Sequence, residues 1–231
     1  MKFTFDKSAN LYDKELQSSL GFFGKGSTEI FAEYKIKILK NELLTDPVKI
    51  LEFGCGTGRN CFFLEKYFNT SKIFGCDISE ESIIIARQNT ETVMYSKICK
   101  PSDLIDIYKE PFDLVFISNV LHHIPFDEQQ MWLKSIYEIT SLGGTLVVFE
   151  HNPYNPVTNF IFKNSSIDKG ALMLKASNCM ELIEKTKFKI HSKKYTLFFL
   201  IRNNITIFIE KILYRVPLGA QYYIVGKKVN V

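Results

Sequence analysis

The chain is predicted to fold as an α/β protein, a doubly wound and mostly parallel seven-stranded sheet with helices on both faces. Three observations predict it. Apolar runs of strand length recur through the 231 residues, and segments of helical period separate them. The first run, Val48 to Phe53, passes directly into glycines at alternate positions, Gly54, Gly56 and Gly58, and then into a helical stretch with Asn60, Cys61, Leu64 and Phe68 at helical spacing. Finally, 46% hydrophobic content at this length suffices for one large core. One domain over residues 1–231 is therefore expected, with 1–47 as an N-terminal cover and 152–176 as a lid-like insertion.

The elements follow in order. Ser27 to Leu44 places Ile30, Phe31, Tyr34, Ile38, Leu39 and Leu43 largely on one helical face. After Val48–Phe53 and its helix, Ile73 to Cys76 is the second apolar run, closed by Asp77. Ser79 followed by Glu80 and Glu81 starts a helix, with acids where the dipole favours them. Thr92 to Ile98 is the third strand and Phe112 to Ser118 the fourth. Asp127 is expected to cap a helix carrying Met131, Trp132, Ile136 and Ile139, which Gly143 would stop. Leu142 to Phe149 is the fifth strand. A short helix over Cys179–Lys187, a long strand over Phe188–Leu200, an amphipathic helix over Asn203–Arg215 and a last strand over Ala220–Val229 complete the chain.

Strand, glycine turn and helix together bring a ligand against bare backbone at the carboxyl edge of a parallel sheet. Asp77, at the end of the second strand, is placed to hold the hydroxyls of a ribose. A dinucleotide fingerprint would need glycine where Arg59 stands, so NAD is not the expected ligand. The pattern Glu52-x-Gly54-x-Gly56-x-Gly58, with Asp77 on the next strand, resembles the class I S-adenosylmethionine-dependent methyltransferases. Phe112–Ile124 and Leu142–Phe149 resemble the fourth and fifth strands of that family, so the likeness runs over residues 48–150. It implies a Rossmann-like methyltransferase fold with an antiparallel last strand and S-adenosyl-L-methionine as cofactor. It also implies cofactor contacts from Glu52, Gly54, Cys55, Gly56, Gly58, Asn60 and Asp77, and from Ser118 and Asn119 at the end of strand four. Ile78 is expected to stack on the adenine. Many members carry an acid after strand three, and here only Asp103 is available, a few residues late.

Methyl transfer from a sulfonium is mostly positioning, helped by a base when the acceptor is a hydroxyl. Three of the four histidines fall at the ends of strands four and five: His122, His123 and His151. His123, Glu150 and His151 are the expected catalytic groups, and His122 is expected to pack under the loop. Asn152 and Tyr154, with Tyr12 and Phe22 from the N-terminal cover, are the expected substrate contacts. The Asn/Asp-Pro-Pro-Tyr/Phe tetrad of amine-directed relatives is absent from strand four, and Asn152-Pro153-Tyr154 lies after strand five instead. The segment Glu150–Pro156, with Pro217–Tyr223, resembles methyltransferases that accompany surface-polysaccharide synthesis, which implies O-methylation of a sugar or nucleotide-linked sugar; the alternatives are a quinone- or lipid-like acceptor, or a non-catalytic S-adenosylmethionine-binding protein.

Charge and composition bound the partners. Residues 161–231 hold 13 Lys and Arg against 4 Asp and Glu, a net of +9, while residues 1–160 carry −5. This basic third either attracts a phosphate-bearing substrate or forms a solvated face. No basic-aromatic strip suggests a nucleic-acid partner. No run approaches the roughly 18 apolar residues of a membrane span, though Asn203–Arg215 is either an interfacial helix for a lipid-like acceptor or a helix packed on the sheet. Five cysteines without paired spacing read as reduced thiols of a cytoplasmic protein, and no metal site is expected.

Overall fold

The computed structural model describes residues 27–165, 168–199 and 204–230. Its elements are α1 (Ser27–Glu42), β1 (Lys49–Phe53), α2 (Arg59–Tyr67), β2 (Lys72–Asp77), α3 (Glu80–Asn89), β3 (Met94–Lys97), α4 (Pro101–Ile107), β4 (Phe112–Ser118), α5 (Phe126–Glu138), β5 (Thr140–His151), α6 (Pro156–Asn164), α7 (Ala176–Glu184), β6 (Phe188–Thr196), α8 (Asn204–Leu213) and β7 (Gln221–Lys228). A short 3₁₀ turn, Leu121–His123, follows β4. The strands form one seven-stranded sheet in the order β3-β2-β1-β4-β5-β7-β6. β1 to β5 pair in parallel, and β7 enters antiparallel between β5 and β6. This is the expected seven-stranded Rossmann-like sheet with its antiparallel last strand.

The period of two along each strand divides the core into two layers. Leu51, Val115, Ile117, Leu146, Val148 and Ile224 face one side, where Trp132, Leu133 and Ile136 of α5 and Leu182 and Ile183 of α7 cover them. Ile50, Leu114, Phe116, Val147, Phe149 and Val225 face the other, under Ile36 and Leu39 of α1 and Phe63 and Leu64 of α2. Each such aliphatic or aromatic side chain withdrawn from water contributes about 1.5–3 kcal/mol. The same parity sends Glu52, two residues after Ile50, into the α1/α2 layer.

Ser79 caps α3 as expected, its side chain accepting from Ser82 N. Three expectations are corrected. Pro125, not Asp127, stands at the start of α5, and Asp127 and Glu128 lie within its first turn, where the helix dipole favours acids. Gly143 does not end α5, which stops at Glu138. It takes φ +79 near the start of β5, where the register shifts opposite Asp113, and the positive φ is what suits glycine to that irregularity. Finally, the alternative in which α8 packs on the sheet through Ile205, Phe208, Ile209 and Ile212 holds for Ile209 at most, which is half-buried; the other three are exposed. The helix is anchored by the buried Glu210, which accepts from the Tyr34 hydroxyl (2.6 Å) and from Phe198 N (2.8 Å).

Candidate active site

At the carboxyl edge of the parallel strands lies a cavity of about 320 Å³, walled by the glycine turn, the start of α3, the ends of β3 and β4, and α1. The turn is built by left-handed backbone: φ is +71 at Gly54, +52 at Gly56 and +78 at Gly58. A Cβ at Gly54 would overlap the Val120 methyls, whereas one at Gly56 would meet nothing within 4 Å. Gly54 therefore serves packing, and Gly56 leaves bare backbone at the cavity. Asp77 holds the turn against β2: one carboxylate oxygen accepts from Gly56 N (2.8 Å), the other from Ser79 N (2.9 Å).

Most of the expected cofactor residues come together here. Gly54, Cys55, Gly56, Asn60, Asp77, Ile78, Ser118 and Asn119 all lie on the cavity wall. Ile78 is half exposed, as a residue stacking on a planar ligand must be before it binds. Asn119 holds φ +57, bonds Phe149 O through its own N–H (2.9 Å) and accepts from Gln221 Nε2 (3.2 Å).

Glu52, Gly58 and Asp103 depart from expectation; Gly58 is off the wall, packed close to Tyr95 and Ala86. Glu52 lies beneath the turn rather than on the wall, accepting from Asn60 Nδ2 (2.7 Å) and from the Cys61 thiol (2.9 Å). Burial raises its pKa to about 7, against the lowering effect of those donors. Asp103 accepts from Cys99 N (2.7 Å) and Lys100 N (3.0 Å), which fixes the start of α4, and the Cys99 hydrogen bond leads in holding its pKa down. Ile98 and Cys99, not Asp103, line the cavity at the end of β3.

Of the three expected catalytic groups, only His123 lines the cavity. Burial lowers its pKa to about 4. Glu150 is wholly buried in the layer of Leu146 and Val148, accepting from Leu121 N (2.8 Å) and pairing with His122 Nδ1 (2.6 Å). It positions the 3₁₀ turn and His122 and does not face the cavity. His151 sits behind, its ring 5.4 Å from His122 and 5.9 Å from Phe162, and burial lowers its pKa to about 4. Asn152 and Tyr154 are likewise corrected. Asn152 donates to the carbonyls of Pro217 (3.1 Å) and Gly219 (2.8 Å), a clamp between the ends of β5 and the entry to β7, and Tyr154 lies exposed beyond it. Tyr12 and Phe22 fall outside the described residues.

Sequence reasoning missed the contribution of α1. Phe31, Ala32 and Lys35 line the cavity, and Lys35 donates to Ser118 Oγ (2.8 Å) with its pKa lowered to about 8 by burial. A lysine four residues after Phe31 and four before Leu39, on an otherwise apolar stripe, was the available signal. Trp132 was read only as a residue of a helix; it packs on Phe53 at 5.4 Å between ring centroids and lines the cavity. Among the described residues, no lysine beyond residue 160 reaches the wall. Lys194 pairs with Glu42 (2.6 Å), and Lys228 with the carbonyls of Tyr137 and Thr140.

Residues 50–144 match a family model described as a methyltransferase domain. Malonyl-[acyl-carrier protein] O-methyltransferase of Bacillus cereus is 28% identical over 155 residues, 65% of this chain and 50% of that protein. Release factor glutamine methyltransferase of Dictyoglomus turgidum is 36% identical over 99 residues, 42% of this chain and 32% of its own length. The chain thus spans half or less of these curated relatives. Among solved structures, a Thermotoga maritima S-adenosylmethionine-dependent methyltransferase superposes with a TM-score of 0.66 at 20% identity, covering 97% of each chain. Magnesium protoporphyrin IX methyltransferase of Synechocystis, solved with bound S-adenosylhomocysteine, gives 0.64 at 14% identity over 96% of each chain.

The cofactor of this class, S-adenosylmethionine, fits the residues present. Gly56 leaves backbone bare at the cavity, Asp77 ends β2 on its wall, and Ile78, Ile98 and Cys99 offer an apolar slot for a planar base. Residues 50–144 are similar to the methyltransferase-domain family model, and the whole sheet has the fold of the S-adenosylmethionine-dependent methyltransferase of Thermotoga maritima.

Proposed function

We propose that the protein methylates a small polar acceptor, with a hydroxyl of a sugar or nucleotide-linked sugar as the acceptor class. S-adenosylmethionine supplies the methyl group on a sulfonium. The glycine turn, Asp77 and Ile78 hold that cofactor, and Asn119 and Ser118 close the wall between it and β4. The observation that carries the reading is His123, which reaches the cavity from the turn after β4. With its pKa near 4 its imidazole is neutral throughout the neutral range, so it can receive the acceptor's proton. So low a pKa also makes it a weak base, and positioning then carries most of the rate. A product screen with labelled S-adenosylmethionine against nucleotide sugars, polyols, quinone precursors and tRNA tests this. Label on a sugar hydroxyl, lost in His123→Ala, is expected. Transfer to tRNA alone, or full activity in His123→Ala, refutes it.

One observation favours a second reading, a quinone-like or lipid-borne acceptor. Ile205, Phe208 and Ile212, spaced along one side of α8, are exposed, with Lys211 and Arg215 nearby in sequence. Co-migration of the protein with anionic vesicles in flotation supports that reading, and its absence leaves the soluble acceptor.

A further inference from the structure

The geometry points to a divalent transition-metal site formed by His122 Nε2, His123 Nε2 and Asp168 at the edge of the cavity. The two imidazole nitrogens lie 3.4 and 3.5 Å from the same oxygen, Asp168 Oδ1, and no ligand atom of the three stands more than 4.8 Å from another. Metal–nitrogen and metal–oxygen bonds of about 2.0–2.2 Å in a tetrahedral arrangement place neighbouring ligands about 3.4 Å apart. The spacing is thus that of donors around a common ion.

A second, independent observation concerns His122. Its side chain is fully buried, yet Nε2 has no hydrogen-bond partner. The other ring nitrogen, Nδ1, pairs with Glu150 at 2.6 Å, and the same carboxylate is fixed by Leu121 N. With Nδ1–H donating to that buried carboxylate, Nε2 is left with its lone pair facing Asp168, the outer-sphere arrangement that orients a metal-binding histidine. The rival is an imidazolium shared between Glu150 and Asp168. A charge-assisted contact to Asp168 would close to about 2.7–2.9 Å, and the 3.4 Å found is too long for it. Two imidazoles and one carboxylate suit Zn²⁺ or a neighbouring first-row divalent ion rather than Ca²⁺ or Mg²⁺, which favour all-oxygen ligands. Three protein ligands leave a position for an exogenous oxygen, and a hydroxyl-bearing acceptor has the chemistry to occupy it. With an ion bound, His123 Nε2 is a ligand and no longer the proton acceptor, so that use in catalysis is an alternative to the base role within the methyl-transfer reading; the binding site itself does not rest on that reading.

The test is Zn²⁺ titration of chelator-treated, refolding-checked full-length protein by calorimetry, with the ligand-field spectrum of Co²⁺ as a second readout. Saturable binding of one ion per chain is expected. Asp168→Asn, on the segment after α6, and His123→Ala should each weaken it at least tenfold, while the exposed His191→Ala leaves it unchanged. Circular dichroism confirms that each variant folds. No saturable binding by folded wild-type protein, or binding that survives both ligand substitutions, overturns the site. S-adenosylhomocysteine titration of the same samples is independent of the metal, so failure of one reading is distinguishable from failure of the other.

Discussion

Glu52 predicts a pH dependence of stability whose sign and window follow from its place in the fold. Strand parity puts it in the apolar α1/α2 layer, 1% exposed, with Asn60 and Cys61 as donors. Burial raises its pKa from 4.5 to about 7. Between these values the folded protein keeps a proton that the unfolded chain has released, so unfolding free energy must fall as pH rises through that window. Below 4.5 the cost is absent, and above 7 it is fully present. At about 1.36 kcal/mol per unit, the shift corresponds to roughly 3 kcal/mol across the window. Glu52→Gln removes the titration. Its single carbonyl oxygen keeps the Asn60 bond but faces the Cys61 thiol with an amide, so part of the gain is lost, and about 1–2 kcal/mol of net stabilisation is expected at pH 8. Urea unfolding of both proteins at pH 5, 6, 7 and 8 measures the difference, in which the other titrating groups cancel. Parallel curves for the two proteins would refute the assignment of a buried, proton-binding Glu52.

Asp77→Asn leaves one of the two N–H groups now held by the carboxylate without an acceptor, and calorimetry should show S-adenosylhomocysteine affinity reduced by about 1–3 kcal/mol; unchanged affinity contradicts the clamp. Gly54→Ala and Gly56→Ala separate packing from binding. The first forces a Cβ into Val120 and should lower stability by about 1–3 kcal/mol. The second finds open space and should cost about 1–2 kcal/mol from its positive φ, while reducing cofactor affinity more than Gly54→Ala does. Lys35→Met tests the opposite sign. The folded-state pKa of Lys35 is lowered to about 8, so wild-type stability rises as pH increases from 8 toward 10.5, and thermal melts of the variant should lose that rise.

What the sequence disclosed, and what it hid, divides along local and long-range lines. The glycine turn, Asp77 and the seven strands were legible because each is a contiguous pattern with a period of its own. Asp103 was misread because a carboxylate near the end of a strand serves a helix start as readily as a ligand, and nothing in Cys99-Lys-Pro-Ser-Asp103 tells the two apart before α4 is seen. Glu150 was legible in principle. Its parity with Leu146 and Val148 puts it in the core, and the expectation that it faced substrate came from its position at a strand end alone. Asp168 had no signal at all. It lies outside any periodic segment, and chain folding brings it to His122 and His123 across more than 40 residues.

The distribution of buried charge says where this fold gives up stability. Among the described residues, Lys35, Glu52, His122 and Glu150 are buried and cluster at the carboxyl edge of β1, β4 and β5, while a fifth, Glu210, anchors α8. Buried ionisable groups are seldom a net gain for folding, because lost hydration offsets their mutual attraction. Apolar residues of similar volume would pack the same space at lower cost, as Leu51, Val115 and Val148 do elsewhere in these strands. Three of the four hold a neighbour at the cavity: Lys35 bonds Ser118, Glu52 bonds Asn60, and Glu150 bonds the turn that carries His123, with His122 as its second partner. Charge spent on orienting wall residues, rather than on the sheet at large, identifies this edge as the part of the molecule shaped for chemistry.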